Sequence, residues 1–424
     1  MNESTFVSID GYSSEGAGVG RLPDGQVVFV RSGARGDLCA LRVTGRRGGA
    51  LLAEIAELVT PSDARIEPPC PYFGVCGGCD FQHVTYDEEL SLKRQRVDDA
   101  LGHIAGLSLK TEKIVPAQKT SEYRNKALFA LQRKNDNMVF GYRQARSHEL
   151  VPIDTCLLQH GNALVTARTA VALGIPGEAL EVRTNTSGRS HVCIHADTRD
   201  PASLRPFARA LAERCPFVDG VALRLPSRSH ALYGVGYLTE HLCGMNFRLS
   251  PESFFQVNTP QAELLYALAL EFAAPFGGGY AADLYCGVGA TTLAFARTFK
   301  RITGVEISRE AVREARRSAV ANDVDNAEFV CADAAAWLGS LPDGTERPGV
   351  VFLDPPRRGV DRALIERTSA LSPSIIIYIS CDPATLARDI KLFGAYGYRA
   401  VRCAAVDMFP RTANVECVAA LVRE

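Results

Sequence analysis

The chain has no excess of either charge. Its 47 Lys and Arg against 48 Asp and Glu leave a formal net charge of −1 over 424 residues. A polycation held to its partner by bulk charge is excluded, so any contact with nucleic acid must come from local basic patches. No apolar run approaches the roughly 18 residues of a membrane span, and no charged-then-apolar segment follows Met1. A cytoplasmic protein without a membrane partner is expected. Internal repeats and low-complexity stretches are also missing. Hydrophobic residues at 46% and charged residues at 22% suit an ordinary globular protein. The length predicts two or three domains of roughly 100–200 residues each. Cysteine, by contrast, is plentiful and odd in number, at 13. In a reducing compartment this points to metal ligation or catalysis rather than disulfides.

The most informative stretch is Ser374-Ile-Ile-Ile-Tyr-Ile-Ser-Cys381-Asp-Pro-Ala-Thr385. Its β-branched run predicts a strand buried on both faces. Pro383 ends the strand in a turn, and Ala384 to Phe393 reads as a helix. Cys381 therefore sits at the carboxyl end of a buried strand, before a helix N-terminus. Open α/β sheets bind ligands there, and a thiol pKa can be lowered there. The alternative is a buried, inert thiol.

Residues 1–60 predict a small β-barrel of OB type, with strand runs at Phe6–Tyr12, Gln26–Val30 and Asp37–Val43. Gly16 to Gly20 and Pro23-Asp-Gly25 read as turns. Gly16-x-Gly18-x-Gly20 lacks a following helix and is no phosphate loop. Arg31, Arg35, Arg42, Arg46 and Arg47 make the module locally basic, either as a nucleic-acid clamp or as a solvated face. Cys70, Cys76 and Cys79 follow, with five and then two residues between them in a loop rich in Gly and Pro. They read as metal ligands, with Cys156 as fourth and His83 as the second choice. Zinc and an iron–sulfur cluster both suit such a set. The spacing is not that of radical S-adenosylmethionine enzymes. Tyr86 to Leu101 predicts a helix, with Leu90, Val97 and Leu101 on one face and positive charge from Lys93, Arg94 and Arg96. From Glu122 to Phe247, strands mix with helices. The stretches around Tyr123–Lys134 and Phe140–Arg143 set aromatics beside basic residues, which suits RNA or an exposed sheet.

From Ser250 onward strands and helices alternate, which predicts a parallel, doubly wound sheet ending in an antiparallel hairpin. Asp283-Leu-Tyr-Cys-Gly287-Val-Gly289 leaves the first strand and enters a helix. The third glycine of a dinucleotide fingerprint is absent, which disfavours a pyrophosphate. Glu306 ends the second strand, where an acid takes ribose hydroxyls; Asp333 follows the third and Asp354 closes the fourth. An adenosine ligand without a diphosphate is S-adenosylmethionine.

Phe254-Phe-Gln256-Val-Asn258, the Asp283–Gly289 loop, Asp354-Pro-Pro-Arg-Arg-Gly359, Ser380–Asp389 and Asp407-Met-Phe-Pro410-x-Thr412-x3-Glu416 occur in one order. With these motifs the whole chain resembles the RNA uracil-5-methyltransferases, in particular the ribosomal-RNA branch. Gly11–Arg21 and Gly33–Asp37 resemble its N-terminal TRAM domain. The resemblance implies Cys381 as nucleophile and Glu416 as base. It puts cofactor contacts at Gln256, Tyr285, Gly287, Glu306, Asp333 and Asp354. It also implies a [4Fe-4S] cluster on Cys70, Cys76, Cys79 and Cys156. The expected architecture is a TRAM barrel (1–60), a central α+β iron–sulfur and RNA-binding domain (61–247) and a Rossmann-like methyltransferase domain (248–424). The 85–115 segment is expected to pack on the last of these. The expected enzyme is a monomer that methylates uridine C5 in RNA, with 23S ribosomal RNA favoured. Transfer RNA, or cytosine-5 methylation, is the alternative. The strand-end turn is expected to lower the Cys381 pKa toward the thiolate that adds to C6 of a flipped uracil.

Overall fold

The computed structural model describes residues 6–135, 137–145, 147–198, 200–225, 229–342 and 344–424. The chain forms two compact units. One holds the described residues up to Arg96, Gly141–Cys156 and Phe409–Asn414; the other holds Val97–Phe140, Leu157–Met408 and Val415–Glu424. Residues 61–247, taken above as one central domain, are thus divided between both units.

The first unit begins with a closed barrel of β1 (Phe6–Tyr12), β2 (Gly18–Arg21), β3 (Val27–Arg31), β4 (Leu38–Arg47) and β5 (Ala50–Thr60), in the order β1-β2-β3-β5-β4. Alternating residues fill it: Val7, Ile9, Val28, Val30, Cys39, Leu51 and Ala53 are buried together. The turn expected at Gly16–Gly20 is a turn only at Gly16, with φ +80°, and then becomes β2. A Cβ at Gly20 would lie 2.6 Å from the Ser8 carbonyl oxygen, so glycine here admits a neighbouring strand instead of breaking one. Three of the barrel arginines are paired: Arg35 with Glu88, Arg42 with Glu54 and Arg47 with Glu15. Arg31 donates to the Gly74 carbonyl. Half of the six arginines in residues 1–60 are therefore paired with acids.

Helix α1 (Tyr86–Ala100) begins in the first unit and ends in the second. Lys93, read above as added surface charge, is buried on it and pairs with Glu89 one turn earlier, at 2.7 Å. Its ammonium also donates to the Phe409 carbonyl. A buried lysine needs such partners.

In the second unit, β6 (Ile114–Val115), β7 (Lys126–Lys134) and β8 (Asn137–Arg143) are followed by β9 (Leu150–Pro152), which pairs with the Gly141–Arg143 end of β8 inside the first unit. Then come α2 (Gly161–Ala172), β10 (Ala179–Thr184), β11 (Ser190–His195), α3 (Arg205–Arg214), β12 (Val218–Arg224) and β13 (Ser229–Gly234). Strands run in the order β13-β12-β11-β10-β7-β8. The aromatics of this sheet face inward: Phe129 and Phe140 meet edge to face at 5.2 Å between centroids. They are core residues, not stacking platforms.

A hairpin of β14 (Leu238–Leu242) and β15 (Met245–Leu249) leads to α4 (Thr259–Ala273). The doubly wound sheet follows: β16 (Tyr280–Leu284), α5 (Ala290–Ala296), β17 (Arg301–Glu306), α6 (Arg309–Ala321), β18 (Ala327–Cys331), α7 (Ala334–Ser340), β19 (Val350–Leu353), α8 (Arg362–Leu371), β20 (Ile375–Ser380), α9 (Pro383–Gly394), β21 (Tyr398–Val406) and β22 (Glu416–Arg423). The strand order is β18-β17-β16-β19-β20-β22-β21-β6. The strands from β18 to β20 are mutually parallel, while β22 runs antiparallel to β20 and β21. Val97 and Leu101 belong to the buried cluster of this sheet, and Leu107, Leu109 and Ile114 pack against it. Among the described residues no helix is long and apolar enough to cross a membrane.

Candidate active site

The order of the parallel strands reverses beside β16, which opens a crevice at the carboxyl edge of the sheet. β22 is antiparallel, so its first residue, not its last, reaches that edge. Its register pairs Ser380 with Cys417. One step further along both strands, Cys381 lies opposite Glu416. Residues 35 apart in sequence thereby meet at one strand end.

The chain turns sharply after β16. Tyr285 takes a left-handed conformation, φ +70°, rare for a non-glycine residue. Its amide and that of Cys286 both donate to the Val305 carbonyl, at 2.9 and 3.1 Å. Gly289, also left-handed, precedes α5, and a Cβ there would strike Phe329 and Ala315. Around Gly287 a Cβ would meet open space, leaving a bare strip of backbone. Glu306 borders it, accepting from the amides of Gly287 (3.2 Å) and Ser308 (2.8 Å). Ile307 beside it is 71% exposed. Asp283 accepts from the hydroxyls of Thr291 and Thr292, at 2.5 and 2.6 Å, through one oxygen. Its other oxygen is buried without a protein partner among the described residues. The bare backbone, the acid at the β17 end and the exposed apolar side chain beside it fit an adenosine-bearing cofactor. Asp333 is exposed and caps α7, accepting from the Ala336 amide at 2.9 Å. Gln256 is buried, and its carbonyl accepts from Asn125 at 2.9 Å.

Three carboxyls lie along the crevice with pKa values raised above the usual carboxylate range. Burial, against the two threonine hydroxyls, pushes Asp283 up to about 6. Burial and then the Asp283 charge push Asp354 up to about 7. Burial and then the Asp354 charge push Glu416 up to about 8, with the Arg357 guanidinium opposing. The Cys381 thiol is half-buried and is raised to about 11, first by desolvation and then by Glu416, against the pull of Arg357. The thiol is thus raised, not lowered as expected from the strand-end turn. The reason is local. Asp382, not Cys381, takes the α9 N-terminus, accepting from the amides of Ala384 and Thr385 at 2.9 Å each. The helix donors are used up, and the thiol faces acids instead.

Several supporting residues were given no role by the sequence reading. Asp389 accepts from the Tyr378 hydroxyl at 2.6 Å and the Val360 amide at 3.0 Å, tying the loop after Asp354 to α9. Gly359, at φ +73°, is the one residue that fits against it; a Cβ would come within 2.3 Å of the carboxylate. Asn258 donates to the Met408 carbonyl at 3.0 Å, and Gln261 to that of Asp407 at 3.2 Å, fixing the end of β21 from the start of α4. Phe254 is 75% exposed between an anchored Ser253 and a buried Phe255. The motifs contained Phe254, Asn258, Gly359 and Asp389 but not Gln261; their roles needed coordinates of partners far away in sequence.

Residues 236–340 and 346–424 match the model of the tRNA (uracil-5-)-methyltransferase family. An RNA methyltransferase of Halalkalibacterium halodurans is 32% identical over 447 residues, covering 99% of this chain and 97% of that relative. Another, of Thermosynechococcus vestitus, is 35% identical over 439 residues, covering 97% and 96%. The chain belongs to the RNA uracil-5-methyltransferases. These are S-adenosylmethionine-dependent enzymes. The crystal structure of Pyrococcus abyssi tRNA (uracil-54, C5)-methyltransferase in complex with S-adenosyl-L-homocysteine matches the methyltransferase with a TM-score of 0.78 and 25% identity, covering 99% of this chain and all 100% of that one.

The first unit of this methyltransferase gathers the other predicted set. Cys70, Cys76, Cys79 and Cys156 are all half-buried thiols there. The Cys76 backbone bridges to Gln144, and the Asp154 amide donates to the Tyr72 hydroxyl at 2.9 Å, joining the two cysteine-bearing segments. Burial pushes the Cys79 thiol up to about 12, against a hydrogen bond from Gln82; the other three cysteines add to the rise. Among the described residues, however, no group of three or more His, Cys, Asp or Glu is arranged to hold a metal ion. The expected cluster is thus not shown. His83, the second choice of ligand, is a buried histidine stacked on Phe73 at 5.4 Å, and burial lowers its pKa to about 4.

Proposed function

We propose that this enzyme forms 5-methyluridine in RNA, with Cys381 as nucleophile and Glu416 as base. The β20–β22 register, which brings these two side chains to one strand end beside Asp354, carries the reading. Uracil C5 is a poor nucleophile. Addition of the Cys381 sulfur to C6 makes an enolate, and C5 becomes able to accept a methyl group. Gln256, Tyr285, Gly287, Glu306, Asp333 and Asp354 would hold S-adenosylmethionine, which would supply that methyl group and a positive charge and leave as S-adenosylhomocysteine. Glu416 then takes the C5 proton, the C6–sulfur bond breaks, and the thiolate is restored. A positive charge beside Asp354 would lower the pKa of the neighbouring acids and so favour the ionised Glu416 that proton removal needs. Exposed Phe254 suits stacking on an unpaired base.

Ribosomal RNA is the favoured substrate, delivered by a TRAM-like barrel. Transfer RNA is the second reading, favoured by the Pyrococcus abyssi relative that is named for it. Labelled methyl transfer to unmodified 23S ribosomal and transfer RNA transcripts, with the product base identified, decides. Label in 5-methylcytidine, or no transfer to any RNA by cofactor-bound protein, would sink the proposal. Cys381→Ala should transfer none.

The same reading places an iron–sulfur cluster on Cys70, Cys76, Cys79 and Cys156. Its support is four half-buried thiols in one unit, of which Cys76 and Cys79 are raised in pKa by burial first and then by the neighbouring thiols, a cost that a bound cation relieves. Anaerobically purified protein should be brown and contain iron and sulfide; a colourless, zinc-rich protein would overturn this.

A further inference from the structure

The barrel arginines expected to hold RNA are mostly paired with acids. Elsewhere, in the second unit, the reverse holds. A groove of about 930 Å³ is lined by Arg248, Arg309, Arg313, Arg316 and Arg317, with no acidic residue in its lining. Four of these arginines project from α6, and 309 to 317 covers about 12 Å of helix. The fifth comes from β15. For a chain of net charge −1, this is a strong local concentration of one sign.

The arginines differ in how they are held. Arg248 lies over the Tyr237 ring, 3.7 Å from its centroid, and Arg316 donates to the Phe329 carbonyl at 2.6 Å. Both are fixed in place before any ligand arrives. Arg313 is paired with Glu310. The side chains of Arg309 and Arg317 have no hydrogen bond or ion pair among the described residues. The groove also adjoins the catalytic edge along the chain. Arg309 comes three residues after Glu306, and Cys331, which lines the groove, comes two before Asp333.

We propose that this groove binds the phosphodiester backbone of the substrate RNA beside the cofactor edge. Guanidinium groups match phosphate oxygens in pairs. A row of cations without acids suits a polyanion better than a mixed protein surface. The groove rests on the RNA reading above, but it makes a separate claim. An acid-free row of arginines on the catalytic unit holds RNA through charge rather than sequence.

The test is RNA binding by the full chain between about 50 and 200 mM salt, using an unmodified 23S ribosomal RNA transcript. Arg309→Ala/Arg317→Ala should flatten the slope of log affinity against log salt by about 1.4 to 1.8, the loss of two phosphate contacts at about 0.7 to 0.9 each. Arg309→Lys/Arg317→Lys keeps both charges and should restore the slope. S-adenosylhomocysteine affinity should be equal in all three proteins, which checks the fold. An unchanged slope in the alanine variant overturns the inference. So does a variant that binds RNA like the parent but has lost binding to polyglutamate, which would assign the groove to an acidic polypeptide. Methyl transfer by the parent is read in parallel. If it is absent while the slope difference persists, the uridine reading falls and the groove stands.

Discussion

Glu416→Gln removes a titrating proton and keeps the shape of the side chain. The Glu416 residue is 4% exposed. Burial first, and then the Asp354 charge, raise its pKa from 4.5 to about 8. The folded state therefore holds this proton more tightly than the unfolded chain does. Its contribution to stability is fully present below about pH 4.5 and is lost as pH rises through about 8. Between pH 4.5 and 7 lie about 2.5 units, at about 1.36 kcal/mol each, a loss of about 3 kcal/mol at pH 7. Glutamine cannot ionise and escapes that loss. Asp283 and Asp354 are present in both proteins and largely cancel in the difference. Parent and variant should nearly coincide in Tm at about pH 5. At pH 7 the variant should melt about 6 °C higher, at about 2 °C per kcal/mol for a unit of this size. Scanning calorimetry at a series of pH values measures the gap. A gap independent of pH, or a parent that gains on the variant as pH rises, would refute the argument that a buried, mostly protonated carboxyl is stored at this strand end. Such a gain in stability with loss of function is the expected signature of a catalytic group.

The same variant, mixed with substrate RNA and cofactor, should accumulate a covalent protein–RNA adduct that survives a denaturing gel; clean turnover would remove Glu416 from its role. The methylation rate should climb between about pH 6 and 9, because the Glu416 carboxyl, at about 8, and the Cys381 thiol, at about 11, must both lose protons. A rate that falls over this range would show that the protonated forms react. Asn258→Ala leaves the Met408 carbonyl without its donor, at a cost of about 1–3 kcal/mol. It should lower Tm and slow transfer while leaving S-adenosylhomocysteine affinity unchanged; unaltered Tm and rate would show that this bond does not hold the end of β21.

Much of the catalytic sheet was legible because its strands are buried on both faces. Ile375–Ser380 is buried at every residue and matches the strand read from the β-branched run before Cys381. Such runs need no partner to be recognised. Strand β5 was not singled out, since Ala50–Thr60 is rich in Ala, Leu and Glu and gains its strand form from two barrel neighbours. β6 is two residues long and exists through its pairing with β21. Gly18 and Gly20 read as turn residues because a sequence does not show that another backbone passes within contact distance.

The site divides in the same way. Residue type and local position were enough to select Cys381, the glycine loop and the acids at strand ends, because each depends on a strand, a turn and a helix start adjacent in the chain. What they could not show is the electrostatic state of the thiol. Its position before a helix suggested a lowered pKa, yet Asp382 holds the helix amides, and Glu416 and Asp354 face the sulfur. That environment is assembled from three strands and depends on the antiparallel register of β22. The sequence by itself determined the chemical groups and the strand ends that present them. Only the tertiary structure decided which of them stand close enough to change one another's charge, because Coulomb interaction and desolvation depend on distance in space, not along the chain.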